Sequence, residues 1–397
     1  MNTNDTGIGA RRRWIILGVA YLCIMSYATT LQSVPPVLSL IIADLKLSHT
    51  QAGLLMSFFA LPGIVLSIPI GMIADRYSQK AIGVVSFALM IGGAAIFASG
   101  SSLPMLALGR VVSGVGAITI FVLAPQLLSQ WFAGRETGIA MGVFHTGVPL
   151  GTILALNFLA LLGERLGWQA SVWLSIGVPL VALVIFAFLL APPPQTGHRT
   201  SSQSEGFFQG IKLVGTPIWI IGVAWMLFNA TAISLFTFNP DFLKTAGFSV
   251  ALAGFITSAV MWPALVISPV IGYIIYKLGR KRAIVITSSV VLTILMLLVP
   301  TATSWALVLM LLIGVAVNLT PTPTFTLVPE VTRPERLGLA FGIISTCHNL
   351  GVVAGPAAVG AIRDVTGSYQ ASYTLMAGFA ILIALAMIIL GWRRHLP

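Results

Sequence analysis

The chain has 397 residues, of which 57% are hydrophobic and 8% charged, with a mean hydropathy of +0.99. A soluble domain carries about 25% charged residues, so the composition excludes a water-soluble globular protein and points to a polytopic membrane protein. The net charge of +11 is spread over loops between apolar runs. Nucleic-acid binders cluster such charge on one soluble face, so that class is excluded too.

Taken in chain order, twelve apolar runs approach the length of about 20 residues that a membrane-spanning helix needs. They cover 14–36, 50–74, 80–100, 103–128, 136–162, 168–191, 216–240, 249–276, 282–300, 303–328, 335–362 and 369–392. None alternates in the short segments of about ten residues that build a membrane barrel, so the expected class is an all-α membrane protein. Arg11, Arg12 and Arg13 precede the first run, but no small-residue cleavage site follows, and a retained first helix is expected. Cys23 and Cys347 fall inside spans, which argues against a disulfide or a thiolate metal site. The longest polar interval holds Pro192, Ser201, Ser202, Arg199, Glu205 and Lys212, and it reads as a linker. The expected organisation is a six-helix bundle at 1–191, a cytoplasmic linker at 192–215 and a second six-helix bundle at 216–397.

Basic residues retained on the cytoplasmic side set orientation. With both termini inside, sixteen lysines and arginines fall in inside segments and four (Lys46, Arg165, Lys244 and Arg363) fall outside. Both termini are therefore expected to face the cytoplasm of a cell membrane.

The chain also repeats itself. Ala52, Gly53, Ser57, Pro62 and Gly71 recur as Ala253, Gly254, Ser258, Pro263 and Gly272. Gly134, Gly138, Ala140 and Gly142 align with Pro334, Gly338, Ala340 and Gly342. Six spans per half, both entering from the same side, imply parallel repeats about an axis along the membrane normal, an arrangement common among transporters.

Three motifs then carry a resemblance. Gly71, Asp75, Arg76 and Lys80 follow a G-x-x-x-D-R-x-G-R-K pattern between spans 2 and 3, with Ser78 and Gln79 departing from it. Arg110, Gly114 and Gly116 in span 4 follow R-x-x-x-G-x-G. Gly351, Gly355 and Pro356 lie in span 11, ahead of Asp364, Gly367 and Tyr369. Over nearly its whole length the chain resembles the major facilitator superfamily (MFS). The loop from Trp131 to Glu136 resembles the branches of that family that carry nitrate, cyanate-like and organic anions. Gly147, Pro149 and Gly151 form a loose version of a motif associated with antiporters, leaving exchange and symport both open.

The resemblance implies that Asp75, Arg76 and Lys80 gate the inner face; their residue types alone equally suit a topology signal in a solvated loop. Tyr276 stands where the second copy would carry the aspartate. Arg110 is the one lysine or arginine well inside a span, where a charge costs at least about 2.5–3.5 kcal/mol unless it faces a cavity or partner. It either meets an anionic substrate or bonds to backbone carbonyls. His145 and His348 suit proton transfer or substrate contact, and isolated histidines on apolar helices equally suit simple hydrogen bonding. Tyr27, Gln32, Gln126, Asn157, Asn229, Asn239, Asn318, Thr322 and Asn349 supply uncharged polar groups, several on the spans that line the cavity in this fold; buried amides also join helices. Among these, Tyr27, Gln32, Arg110, Gln126, His145, Asn229, Asn318, His348 and Asn349 are the substrate-binding or coupling candidates. Trp225, Phe228 and Trp262 suit an apolar wall. Pro321, Pro323 and Pro240 interrupt helical hydrogen bonding.

The expected function is secondary transport of a small organic or inorganic anion by alternating access. Its expected partners are a small-molecule substrate, a proton or counter-anion, and the lipid bilayer, with no nucleic acid and no oligomeric partner. The alternatives are efflux of apolar drug-like compounds and, in another class, a non-transporting membrane sensor or scaffold. No enzyme activity, cofactor or metal is expected, since the chain has no nucleotide loop, ligand cluster or paired nucleophile and base.

Overall fold

The computed structural model describes residues 7–132, 135–190, 215–267, 280–333 and 336–393. Among the described residues, twelve helices are long and apolar enough to cross a membrane: α1 Arg12–Leu45, α2 His49–Ser67, α3 Gln79–Ala98, α4 Leu103–Leu128, α5 Ala140–Leu166, α6 Trp168–Leu189, α7 Thr216–Thr245, α8 Val250–Ile267, α9 Lys281–Leu298, α10 Thr303–Val331, α11 Leu339–Thr366 and α12 Tyr369–Trp392. They form two parallel six-helix repeats. One face of the bundle collects the short loops at 46–48, 167 and 246–249, and is called the seam end here. The other collects Lys80, Arg280, Lys281, Arg333 and Arg336, and is called the basic end.

Local chemistry sets the helix ends. Ser48 caps α2 by accepting from the backbone N–H of Gln51, whose side chain accepts from the Ser48 N–H in return. Ser249 caps α8 in the same way, accepting from Leu252 N–H. Lys46 at φ 51°, after α1, and Gly367 at φ 66°, after α11, make the left-handed turns that let the chain reverse.

Proline breaks α1. A helix runs to Leu31, a 3-10 turn covers Pro35–Val37, and a short helix follows over Leu38–Leu45. Pro35 has no N–H to give the carbonyl four residues earlier, which belongs to Leu31. A similar break interrupts α10 between Asn318 and Pro321. By contrast, α7 stays one helix from Thr216 to Thr245 with Pro240 inside it, so the single hydrogen bond that Pro240 cannot donate does not divide the helix.

Within each repeat, glycine allows backbones to touch, as small residues do between membrane helices. A Cβ on Gly114 of α4 would lie 2.1 Å from the carbonyl oxygen of Phe59 in α2. Its counterpart, Gly314 of α10, would meet the Val260 oxygen in α8 at 2.4 Å. The repeats meet each other the same way. Gly53 of α2 faces the Pro356 oxygen of α11, and Gly254 of α8 faces the Leu156 oxygen of α5, at 2.3 and 2.2 Å from the missing Cβ. Ser57 donates to Val353 O at 2.5 Å, while its counterpart Ser258 accepts from Asn157 Nδ2 at 2.9 Å. These two seams run from the seam end toward the middle of the bundle.

Candidate functional site

The two repeats also approach through a chain of rings. Tyr27 of α1 lies 4.8 Å from Phe121 of α4. Phe121 is parallel to His348 of α11, with centroids 6.5 Å apart and planes 3° apart. His348 also stacks toward Trp225 of α7 at 6.3 Å and 25°. Trp225 stacks on Phe228 at 4.9 Å and meets the ring of Phe325 in α10 edge-on at 4.8 Å. Two helices of the first repeat and three of the second thus share one aromatic centre, with an imidazole in the middle. Trp225 and His348 each stand about ten residues from the basic end of their helices, roughly 15 Å at 1.5 Å per residue. Flat rings of this kind offer an apolar face to a ligand, and His348 adds a polar one.

The helices that carry these rings also carry amides. Asn229 donates to Trp225 O at 2.7 Å, Asn349 to Ser345 O at 3.0 Å and Asn318 to Gly314 O at 2.7 Å. Each bond returns one turn along its own helix. A carbonyl partner requires the amide nitrogen, so the orientation is fixed and the side-chain oxygen is left for other contacts. Asn349 also packs against Gly63 of α2, where a Cβ would lie 2.4 Å from its Oδ1. Gln32, in the break of α1, is 2% exposed and its Oε1 has no partner among the described residues. Gln126 is half-buried on α4. His145 is exposed at the last position of the helix Arg135–His145, beside Phe144, and no described contact joins it to His348.

Arg110 has a different surrounding. Its guanidinium donates to Leu55 O at 3.0 Å, Thr30 O at 3.0 Å and Leu31 O at 3.1 Å, touches Met56 Sδ, and lies 4.4 Å from the centroid of Phe59. Two of these carbonyls end the first helix of α1, at the break made by Pro35. Of the two roles read from the sequence, this geometry is the backbone-bonded one. The arginine closes the broken helix with its own donors, and desolvation is offset by three carbonyls and a ring face.

Other polar candidates are tied into the helix packing. Asn239 donates to Thr257 Oγ1 at 2.6 Å and accepts from the Tyr373 hydroxyl at 2.6 Å. Asn157 bridges Ile153 O and Ser258. Trp262 donates to Ser258 as well and meets Phe255 edge-on, away from Trp225. Thr322 is half-buried in the second segment of α10. At the basic end, the helix of α2 continues to Arg76. The side chains of Asp75 and Arg76 lie outside the described residues, as do residues 192–214 of the expected linker, while Lys80 is exposed. Phe121 and Phe325 had no distinguishing sequence signal, being phenylalanines on apolar helices.

The family model of the Major Facilitator Superfamily matches residues 20–253 and 220–397. The chain belongs to the Major Facilitator Superfamily. Two bacterial transporters are similar to it over most of their length. The hexuronate transporter of Bacillus subtilis (strain 168) is 25% identical over 370 residues, covering 87% of this chain and 86% of the relative. The probable galactarate/D-glucarate transporter GudP of the same organism is 22% identical over 389 residues, covering 87% and 85%. Crystal structures of the nucleoside transporter NupG share the superfamily fold, with TM-scores of 0.81 and 0.77 at 15% identity, over 96% of this chain and 99% of NupG. This multi-pass membrane protein is accordingly a secondary transporter of the superfamily.

Proposed function

We propose that the transported solute is a small organic anion with one apolar or C–H face, held between Phe121 and Trp225 with its polar side toward His348 and the neighbouring amides. The observation that carries this reading is the aromatic centre shared by both repeats with an imidazole inside it. Sugar acids have this division, with C–H faces that pack on rings and a carboxylate that accepts hydrogen bonds. The bacterial relatives named for hexuronate and for galactarate and D-glucarate point the same way. His348 then supplies either a proton or a hydrogen bond to the carboxylate, and a proton or counter-anion is the coupling partner. Both termini and the basic end face the cytoplasm, and Asp75, Arg76 and Lys80 latch that end in the alternate state.

Counterflow in proteoliposomes tests the substrate class. Glucuronate and glucarate are expected to exchange with label, and Trp225→Ala and Phe121→Ala are expected to abolish that exchange in protein that remains monodisperse. Exchange of lipophilic cations alone would replace this reading with efflux of apolar compounds. That second reading draws on Arg110, three of whose five donors go to backbone carbonyls. Absence of exchange for every solute would favour a sensor. For orientation, Ser202→Cys and Ser102→Cys are expected to react with impermeant maleimide from opposite sides.

A further inference from the structure

At the seam end, one ring lies against two carboxylates of the other repeat. His49 is the first residue of α2. Its Nδ1 lies 3.1 Å from Asp364 Oδ1 in α11, and its Nε2 lies 3.4 Å from Asp241 Oδ2 in α7. Both carboxylates are already acceptors. Asp364 takes the backbone N–H groups of His49 and Thr50, each at 2.8 Å, and the Thr50 hydroxyl at 2.6 Å. Asp241 takes the hydroxyl of Tyr369 in α12. The remaining charge nearby is Arg363 of α11, whose guanidinium lies 4.5 Å from the Tyr369 ring. The ring of Phe238 of α7, 6.5 Å away, adds an apolar wall.

A neutral imidazole has one N–H and one lone pair. With both ring nitrogens facing carboxylates, the neutral form would set a lone pair against an anion. The doubly protonated ring satisfies both.

We propose that His49, Asp241 and Asp364 form a proton-binding site that exists only while the seam end is closed. His49 belongs to the first repeat and the two carboxylates to the second. Parting of the repeats at this end therefore takes the ring away from both anions and into water, where histidine titrates near pH 6.5. Closure binds one proton and opening releases it. The sign follows from linkage: acid at this face favours the closed seam, and alkaline conditions favour opening, by at most tenfold in the open-to-closed ratio per pH unit for a single proton. Arg363 opposes the protonated ring and Asp241 and Asp364 favour it, with the two anions in direct contact. This site stands apart from the aromatic centre and does not depend on which solute is carried.

Spin labels at Ser102→Cys and Thr301→Cys, in protein with Cys23 and Cys347 replaced by Ala, report the distance between the repeats at this end. In full-length protein, moving from pH 5.5 to pH 8 is expected to raise the long-distance fraction relative to the short one at least tenfold. His49→Gln is expected to reduce that change below twofold. His49→Arg, which keeps a cation at every pH in the range, is expected to remain in the short-distance state throughout. An unchanged distribution in the parent protein overturns the proposal. So does a full pH response in His49→Gln, or opening of His49→Arg at pH 8. Size-exclusion profiles confirm which variants fold, and either variant alone suffices to decide.

Discussion

The two seams occupy equivalent places in the repeats and are built with unequal strength. In one, Asp364 at the end of α11 covers the N-terminus of α2; in the other, Glu164 at the end of α5 covers the N-terminus of α8. Glu164 makes a single described bond there, accepting from Ala251 N–H at 2.9 Å. Asp364 accepts from two backbone groups, a hydroxyl and an imidazole. The difference lies in the receiving helix, where His49 and Thr50 stand opposite Val250 and Ala251 in the repeat. A carboxylate at a helix N-terminus gains from the macrodipole in both places; side-chain donors make only one of them a multi-point contact. The repeats differ again at α4 and α10. Arg110 stands four residues before Gly114, and Met310 stands four before Gly314. The first repeat has a break in α1 whose carbonyls need donors, while α7 in the second runs unbroken and needs none.

The largest effect is expected from making the first repeat resemble the second at that position. Arg110→Met leaves the buried Leu31 carbonyl without its donor and takes one donor from the Thr30 carbonyl, which keeps the Ser33 hydroxyl, and an orphaned buried acceptor costs about 1–3 kcal/mol. The variant should lose far more thermal stability in detergent than Met310→Leu, and equal melting temperatures would remove Arg110 from its role at the break. Next come Gly53→Ala and Gly254→Ala. Each forces a Cβ onto a backbone oxygen across the seam, and overpacking of this kind costs about 1–3 kcal/mol. Both should shift the spin-label distances toward the open state by similar amounts, and a response from one alone would break the symmetry of the seams.

A smaller and unequal effect is expected from the caps. Asp364→Asn removes the charge facing several donors, where charge-assisted bonds are worth about 1.5–3 kcal/mol. Glu164→Gln removes one exposed contact worth about 0.3–1 kcal/mol before screening. Equal responses in the distance distributions would contradict the ranking of the seams. An effect as small as that of Glu164→Gln should come from Val250→His with Ala251→Thr, which gives α8 the donors of α2. A gain of about 0.5–1 kcal/mol for the closed state is expected from one new hydrogen bond, read as a shorter mean distance at pH 5.5. No gain would mean that donor identity alone does not account for the difference.

The span plan and the repeat were legible in the sequence because apolar length and glycine spacing record them directly. Gly53 and Gly254 aligned in register before their common contact with the opposite repeat was visible. Arg110 was legible as an anomaly but not in its role, since nothing local connects it with carbonyls 79 and 80 residues earlier. Trp225, Phe228 and His348 stood out by residue type. Phe121 and Phe325 did not, because an aromatic ring on an apolar helix looks the same whether it faces lipid or a centre. The meeting of His49 with Asp364 was not legible, because it depends on tertiary approach over 315 positions.

The seams' composition also sets how easily water can enter them. Glycine hydrogens, serine hydroxyls and capped backbone groups form much of the facing surface at Gly53, Ser57, Gly254 and Ser258. Uncovering a leucine or phenylalanine costs about 1.5–3 kcal/mol. Uncovering a glycine exposes little apolar area, and a freed hydroxyl or carbonyl is met at once by solvent. The seam end therefore closes tightly enough to bring backbones into contact, yet presents a wettable surface whenever it parts.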